Sequence, residues 1–196
     1  QLYPIFLFQI KNADLGFDQK DVVYLRMNDK VKENYDAFRT ELMRLPEVAG
    51  VARASELPME IWSITRGVTW EGKDTPGGAA FGFAAVDPDT LDLMGMTFAA
   101  GRNFSREFPA DKDNFIFNEK AIEVMKMKDP LGKPFRLSEN SKGTIVGVVK
   151  DFHSLPLTYA IEPLVIVMDP DYYRVVLVRV RPGAGKTAMA RIEAAW

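Results

Sequence analysis

The chain has 196 residues, of which 47% are hydrophobic and 27% charged, and its formal net charge is −2; this is the composition of an ordinary soluble globular domain. The nearly balanced charge gives no reason to expect a nucleic-acid partner, and no basic run indicates binding to anionic lipid. The absence of cysteine from the sequence excludes thiol nucleophiles, disulfides and thiolate metal sites, but it leaves the cellular compartment open.

The first ten residues, QLYPIFLFQI, are strongly apolar, yet a membrane span needs about 20 apolar residues. They also lack the basic start and the small-residue cleavage site of a signal peptide. The other end, RIEAAW, stops inside predicted helical turns without a capping residue. We therefore expect the sequence to be an excised piece of a larger protein.

The first predicted elements form a β-α-β unit over residues 21–57. Residues 21–28 alternate as a strand, and 48–57 are a second strand. Between them, an apolar stripe at spacings of three and four predicts an amphipathic helix that Asn28 or Asp29 caps and Pro46 ends. The stripe consists of Val31, Tyr35, Phe38, Leu42 and Leu45.

The middle of the chain is predicted to be rich in β-structure. Residues 58–87 mix two tryptophans with many glycines, which favours short strands and turns. A short helix follows in 87–95, with Asp87 as its cap, and 96–104 returns to extended structure that turns at Gly101.

The last third predicts a strand at 115–117 and then a helix capped by Asn118. Three further strands follow, namely GTIVGVVKDF, PLVIVMD and YRVVLVRVR, and Val176, Val178 and Val180 share one face of the last. A final helix begins in TAMARIEAAW. The chain thus opens as β-α-β and closes as β-β-α, which predicts an α+β domain.

The only histidine of the chain, His153, follows Asp151 by two residues, so both side chains point the same way if the segment is extended. A catalytic zinc needs three protein ligands, and here carboxylates would have to supply the others. A hydrolytic triad needs a nucleophile, and Ser141 and Ser154 lie in no G-x-S-x-G motif. The competing interpretation is that Asp151 and His153 bind loop backbone at a strand end.

The stretch VRPGAGKTA, residues 180–188, ends in Gly-Lys-Thr between a strand and a helix, as a phosphate-binding loop does. That loop requires G-x-x-x-x-G-K-[ST], and its first glycine would fall on Val180. A turn that leads into a helix is the favoured interpretation.

The β-rich block contains four aromatic residues with two interpretations, a groove for an apolar ligand or, more commonly for such residues, the filling of a core. They are Trp62, Trp70, Phe81 and Phe83. No motif in the chain amounts to a catalytic, cofactor or metal site. The residues alone indicate a binding or structural domain rather than an enzyme.

Six stretches occur in order along the chain, namely KNADLGFDQKDVVYL, GMTFAAGRNF, FIFNEKAIEVM, KDPLGKPF, GTIVGVVKDFHSLPL and IEPLVIVM. The first resembles the segment that follows the first transmembrane helix in MacB-like, FtsX-type ABC transporter permeases. The other five resemble, in the same order, the motifs of the extracytoplasmic core domain of these permeases, in the form common in Bacteroidetes.

The resemblance implies a periplasmic domain of an inner-membrane protein, made of two subdomains. Residues 14–60 and 158–196 would form a discontinuous α/β porter-like subdomain, residues 61–157 an inserted β-rich sabre-like subdomain, and residues 1–13 a juxtamembrane stub. Asp151, Phe152 and His153 would form the structural junction that braces the crossover between them.

The resemblance also implies function and partners. The domain would transmit ATP-driven motion across the membrane to a substrate or a periplasmic partner protein, in efflux or in lipoprotein or peptide export. It would work with its own transmembrane helices and a separate ATP-binding subunit, with no cofactor and no catalytic residues. Two alternatives stay open: a ligand-sensing domain with a pocket in the aromatic insert, and a metal-dependent hydrolase centred on Asp151 and His153.

Overall fold

A computed structural model describes residues 14–73 and 79–196. The predicted juxtamembrane stub, residues 1–13, lies outside the described residues, as do residues 74–78 of the predicted β-rich block. The strands are β1 (Val22–Arg26), β2 (Val48–Ala54), β3 (Ile64–Thr65), β4 (Thr69–Trp70), β5 (Phe81–Ala85), β6 (Phe98–Gly101), β7 (Phe115–Asn118), β8 (Pro134–Arg136), β9 (Lys142–Val149), β10 (Leu164–Val167) and β11 (Val175–Val180). The helices are α1 (Asp29–Glu33), α2 (Tyr35–Met43), α3 (Thr90–Leu93), α4 (Glu119–Met125) and α5 (Gly185–Ala195), and 3-10 turns span Pro109–Asp113 and Pro170–Tyr172.

The smaller of two sheets has the strand order β1-β11-β2, with both pairings antiparallel. One face of this sheet is covered by α1, α2 and α5, because the apolar stripes of these helices are buried against it. The predicted shared face of Val176, Val178 and Val180 is confirmed, since all three lie in this cluster. The predicted β-α-β unit forms, but its two strands do not touch each other because β11 lies between them.

The larger sheet has the order β3-β5-β10-β7-β9-β8-β4, and β6 also pairs with β9. Alternation along its strands sends side chains to two different cores. Leu164 and Ile166 of β10 face the smaller sheet, whereas Val165 and Val167 face a second core that α4 and Phe135 cover.

The two sheets pack face to face around one continuous apolar core. Leu177 and Ala54 of the smaller sheet share this cluster with Ile116 and Ile166 of the larger one. The layers are therefore helices, smaller sheet, larger sheet and then the layer of α4. The mixture of sheets and few helices confirms the predicted α+β class.

Side-chain caps explain the starts of two of the five helices in the described residues. The Asn28 side chain accepts a hydrogen bond from the Val31 N–H and caps α1. Asn118 caps α4 as predicted, because its Oδ1 accepts from the Ala121 N–H at 3.0 Å. The single helix predicted across 31–45 is instead two helices, since Asn34 has φ −121°, outside the helical region, and its side chain donates to the Lys30 carbonyl.

The predicted closing β-β-α unit is split between the sheets. β10 pairs with β5 and β7 in the larger sheet, whereas β11 is the centre of the smaller one. A division of the chain by sheets would therefore place its second boundary between residues 167 and 175, and the predicted subdomain limits stay a prediction. Across 14–73 and 79–196, no helix is both long enough and apolar enough to span a bilayer.

Candidate functional site at the junction of the two sheets

Asp151 lies just after β9 and binds the first turn of α4. Its Oδ1 accepts a hydrogen bond from the Lys120 backbone N–H at 2.8 Å, and its own N–H donates to Glu119 Oε2 at 3.1 Å. Two backbone donors are satisfied by this reciprocal pair, in the manner of a capping box formed between distant segments. The carboxylate therefore fixes the end of β9 against α4.

Phe152 is the apolar centre of the junction. Its side chain is 2% exposed and belongs to the core shared by the two sheets. Its ring stands edge-on to that of Phe17, with the ring centroids 6.1 Å apart, a favoured aromatic geometry. The side chain thus ties the segment before β1 to the segment after β9.

His153 acts through its backbone in this contact. Its N–H donates to the Leu15 carbonyl at 2.9 Å. Gly16, the next residue, has φ +79°, and a Cβ on it would lie 2.7 Å from both the Asp151 carbonyl oxygen and Phe152 Cβ. Only glycine allows so close a crossing of two backbones.

These contacts bear on the metal and hydrolase interpretations. The parts of the chain that the structure describes contain no cluster of three or more histidine, aspartate or glutamate side chains placed to hold a metal ion. The Asp151 carboxylate is engaged with the Lys120 backbone instead. The bracing role assigned to Asp151, Phe152 and His153 stays a prediction, and the contacts described here are the basis for testing it.

A second junction, missed by the sequence analysis, surrounds Asp87 and Asp89 before α3. Arg106 forms a bidentate pair with Asp89, with both N···O distances 2.9 Å, and Arg39 of α2 binds the same carboxylate at 3.0 Å. Asp87 is 1% exposed and accepts a hydrogen bond from the Thr90 hydroxyl at 2.8 Å. This acidic cluster therefore joins the helix layer to the loop after β6.

The two carboxyl groups have pKa values displaced in opposite directions. Burial raises the pKa of Asp87 above its ordinary value of 3.8, although the Thr90 hydrogen bond opposes the shift. Burial also acts to raise the pKa of Asp89, but the hydrogen bonds and charges of Arg106 and Arg39 outweigh it and leave that pKa below 3.8.

We therefore predict opposite pH slopes for two matched variants. As pH rises from about 4, the wild-type chain should lose stability relative to Asp87→Asn, because the folded state holds the Asp87 proton that the unfolded state releases. As pH falls below about 4, it should lose stability relative to Asp89→Asn, because the unfolded state then takes up a proton that Asp89 resists. Urea unfolding between about pH 3 and 7 measures both slopes; slopes of equal sign would contradict the assignment.

Arg179 of β11 forms a third link between segments. Its guanidinium donates to the Leu93 carbonyl at the end of α3 and to the backbone carbonyls of Asp18 and Lys20. The planar fork of arginine suits several carbonyls at once. The N-terminal segment is thus bound to β11 as well as to the residues after β9.

The stretch 180–188 ends β11, makes a turn at residues 182–183 and enters α5, whose first three residues are Gly185, Lys186 and Thr187. Gly183 has φ +80°, and Lys186 and Thr187 are exposed. Val180, where a phosphate-binding loop requires glycine, ends β11 with its side chain buried in the core of the smaller sheet. These positions agree with the turn-and-helix interpretation.

The four aromatic residues considered for a ligand groove lie in different surroundings. Phe81 is fully buried, with the Trp70 ring 5.9 Å away, whereas Phe83 packs on Tyr172 and Trp62 on Tyr159. An open groove of about 420 Å³ runs beside Trp70, between β4, β8 and the start of β9. The cavity between the sheets holds about 20 Å³, space for about one water molecule. The alternative of a ligand-sensing domain stays a prediction, and of these two cavities only the open groove beside Trp70 has room for a ligand.

Comparison with known proteins provides the family. The model of the MacB-like periplasmic core domain matches residues 7–195. A search of curated proteins found no match.

Three solved structures share the fold. The periplasmic region of MacB from Actinobacillus actinomycetemcomitans has a TM-score of 0.59 at 14% identity and covers 91% of this chain and 85% of that one. The extracellular domain of the ABC-type transporter YknZ from Gram-positive bacteria has a TM-score of 0.55 at 16% identity, with coverages of 84% and 86%. A domain of a permease protein from Porphyromonas gingivalis has a TM-score of 0.52 at 20% identity, with coverages of 78% and 73%.

The family match confirms the resemblance and the periplasmic location expected from the sequence. The family belongs to ABC transporter permeases, which have transmembrane helices and work with an ATPase, and this periplasmic domain family is not a known class of enzyme. Because the match covers nearly the whole chain, the chain belongs to the MacB-like periplasmic core domain family and is a periplasmic domain of a MacB/FtsX-type ABC transporter permease.

Proposed function

We propose that this domain is a stiff lever that transmits ATP-driven motion of the membrane helices to a substrate or a partner protein in the periplasm. A separate ATP-binding subunit would supply the energy, and export of small molecules, peptides or lipoproteins would be the work performed. The domain contributes shape and stiffness to this cycle, not a chemical step.

The observation that carries the proposal is the single apolar core between the sheets. Side chains of both sheets interdigitate there around Phe152, with a cavity of only about 20 Å³. Close-packed interiors of this kind have low compressibility and transmit displacement. A push on the smaller sheet would therefore move the larger sheet with it.

Polar contacts around this core support the same conclusion. Three polar contacts join segments that lie far apart in the sequence. They are Arg179 with the Leu93 carbonyl, Arg39 with the Asp89 carboxylate, and the Lys120 N–H with the Asp151 carboxylate. Their directional hydrogen bonds oppose sliding of one layer over another, whereas apolar contacts alone are non-directional. The N-terminal segment, expected to lead from the membrane, is held at both Leu15 and Asp18.

The test uses the full permease reconstituted with its ATPase in lipid vesicles. Because this chain has no cysteine, spin labels can be placed at Met43 on α2 and Leu131 near the end of the larger sheet, which are 41% and 45% exposed. We expect the distance between these two labels to stay constant between the nucleotide-free and ATP-bound states. The distance from either label to the bilayer surface should change, and an ATPase subunit that cannot bind ATP is the control.

Two outcomes would contradict the proposal. An ATP-dependent change between the two labels would show that the sheets move against each other, so that the domain is not a single lever. A constant distance to the bilayer in every nucleotide state would show that the domain does not move with the ATPase cycle.

A further inference from the structure

We propose that a cluster of exposed apolar side chains, here called the aromatic patch (Trp62, Ile64, Leu157 and Tyr159), rests on the outer surface of the lipid bilayer and sets the height and tilt of the domain. The inference adds a lipid contact to the proposed lever, and it rests on that proposal only in placing residues 1–13 beside the membrane.

The aromatic patch combines large side chains that the fold leaves uncovered. Trp62 and Ile64 are each 53% exposed, Tyr159 is 49% exposed and Leu157 is 41% exposed. The Trp62 and Tyr159 rings contact edge to face, with centroids 5.4 Å apart. Ile64 is the first residue of β3 and follows Trp62 by two residues, and Leu157 precedes Tyr159 by two residues in the turn from Pro156 to Tyr159.

The position of the aromatic patch follows from a short series of hydrogen bonds. The Leu15 carbonyl accepts from the His153 N–H at 2.9 Å, and the Ser154 carbonyl accepts from the Ile61 N–H at 3.0 Å. Trp62 comes next in the chain, so two backbone contacts separate the aromatic patch from the N-terminal segment. The residues that precede this segment in the sequence are the apolar run QLYPIFLFQI.

The chemistry of the aromatic patch fits a neutral lipid surface. Tryptophan and tyrosine are enriched where membrane meets water, because their rings are apolar at one end and polar at the other. The Glu56 carboxylate lies beside the aromatic patch, where it accepts from the Trp62 and Ser63 N–H groups at 3.3 Å, and the exposed Arg66 follows Ile64 by two residues. With one charge of each sign beside it, the aromatic patch lacks the basic cluster that attracts anionic lipid, so we expect contact with zwitterionic headgroups such as phosphatidylcholine.

The experiment anchors the 196-residue chain to vesicles and asks whether Trp62 meets lipid. A cysteine added before Gln1 is the only thiol of the chain, and it couples to a maleimide lipid in phosphatidylcholine vesicles. Trp70→Phe and Trp196→Phe leave Trp62 as the only tryptophan. With brominated instead of ordinary phosphatidylcholine, we expect a loss of Trp62 fluorescence, because an indole at the membrane interface lies within reach of the brominated lipid.

Two matched variants distinguish a specific effect of the aromatic patch from a general effect of exposed apolar side chains. Leu157→Gln and Met43→Gln remove side chains that are each 41% exposed, but Met43 lies on α2 in the helix layer. Leu157→Gln should reduce the quenching of Trp62 by bromolipid, and Met43→Gln should leave it unchanged. Far-UV circular dichroism of each variant shows that it is folded.

Three results would overturn the inference. Unquenched Trp62 in the anchored chain would show that the aromatic patch does not meet lipid. Quenching only after removal of residues 1–13, with the cysteine placed before Asp14, would show that this segment covers it. Dimers that form without vesicles and disappear in Trp62→Ser would identify an interface between two copies. None of these results depends on ATP, so the lever proposal stands or falls separately.

Discussion

Replacing Phe152 by alanine is expected to lower the free energy of unfolding by about 3 to 5 kcal/mol, as for other truncations of buried phenylalanine. The side chain is 2% exposed in the core between the sheets, so its removal takes apolar contacts from both sheets at once. Phe152→Leu, which keeps most of the volume, should cost less than about 1.5 kcal/mol. Urea unfolding measures both values.

Phe108→Ala is the control for Phe152→Ala, because Phe108 is 48% exposed and its ring packs against Arg102 in a cation–π contact of 4.4 Å. Its loss should cost no more than about 1 kcal/mol. A double-mutant cycle with Phe17→Leu and Phe152→Leu should also show a coupling of roughly 0.5 to 1.5 kcal/mol from the edge-to-face pair. Equal costs for Phe152→Ala and Phe108→Ala would refute the assignment of Phe152 as the centre of the junction.

Replacing Gly16 by alanine is expected to lower the free energy of unfolding by about 3 kcal/mol, from left-handed backbone strain and steric crowding together. The backbone at Gly16 has φ +79°, and the added Cβ would lie 2.7 Å from Phe152 Cβ. Either the segment before β1 or the segment after β9 must then move. The His153 N–H bond to Leu15 should weaken as a result, which hydrogen exchange of the His153 amide measures.

Gly183→Ala isolates the backbone contribution to the Gly16→Ala effect. Gly183 has nearly the same φ, +80°, but no atom lies within 4 Å of a Cβ placed there. This variant should cost only about 1 to 2 kcal/mol and should leave the His153 amide protected. If both variants cost the same, the close crossing at Gly16 contributes nothing to stability.

Local pattern predicted the elements of this fold well. The alternation of valines in β11 predicts its buried face correctly. Asn118 is a predictable cap because its side-chain oxygen accepts from the N–H of Ala121, only three residues along the chain. These features depend on residues close together in the sequence. The resemblance to a known family then supplied the class of protein and its cellular location, which the residues alone left open.

Contacts between distant segments were beyond such reasoning. Strand order cannot be read from alternation, so the placement of β11 between β1 and β2, and of β10 in the other sheet, was not foreseen. Nothing in the sequence around Asp89 indicates that it binds Arg39 and Arg106, because these partners lie 50 and 17 residues away.

At the predicted junction, His153 is conspicuous in the sequence as the only histidine, yet its described contact uses the backbone N–H. A histidine suggests a functional site because its side chain is chemically versatile. The close approach of two backbones at Gly16 is a stronger structural constraint, but its only trace in the sequence is one glycine among many. The alternatives of metal ligand and structural brace differ in tertiary contacts, and no spacing of residues distinguishes them.

The central place of β11 in the smaller sheet has a consequence for biogenesis. β1 and β2 leave the secretion channel early, but the strand that pairs with both is made almost at the end of the domain. Pairing at such long sequence separation is slow. We therefore expect the early strands to remain unpaired, and open to aggregation or proteolysis, until the last strand arrives.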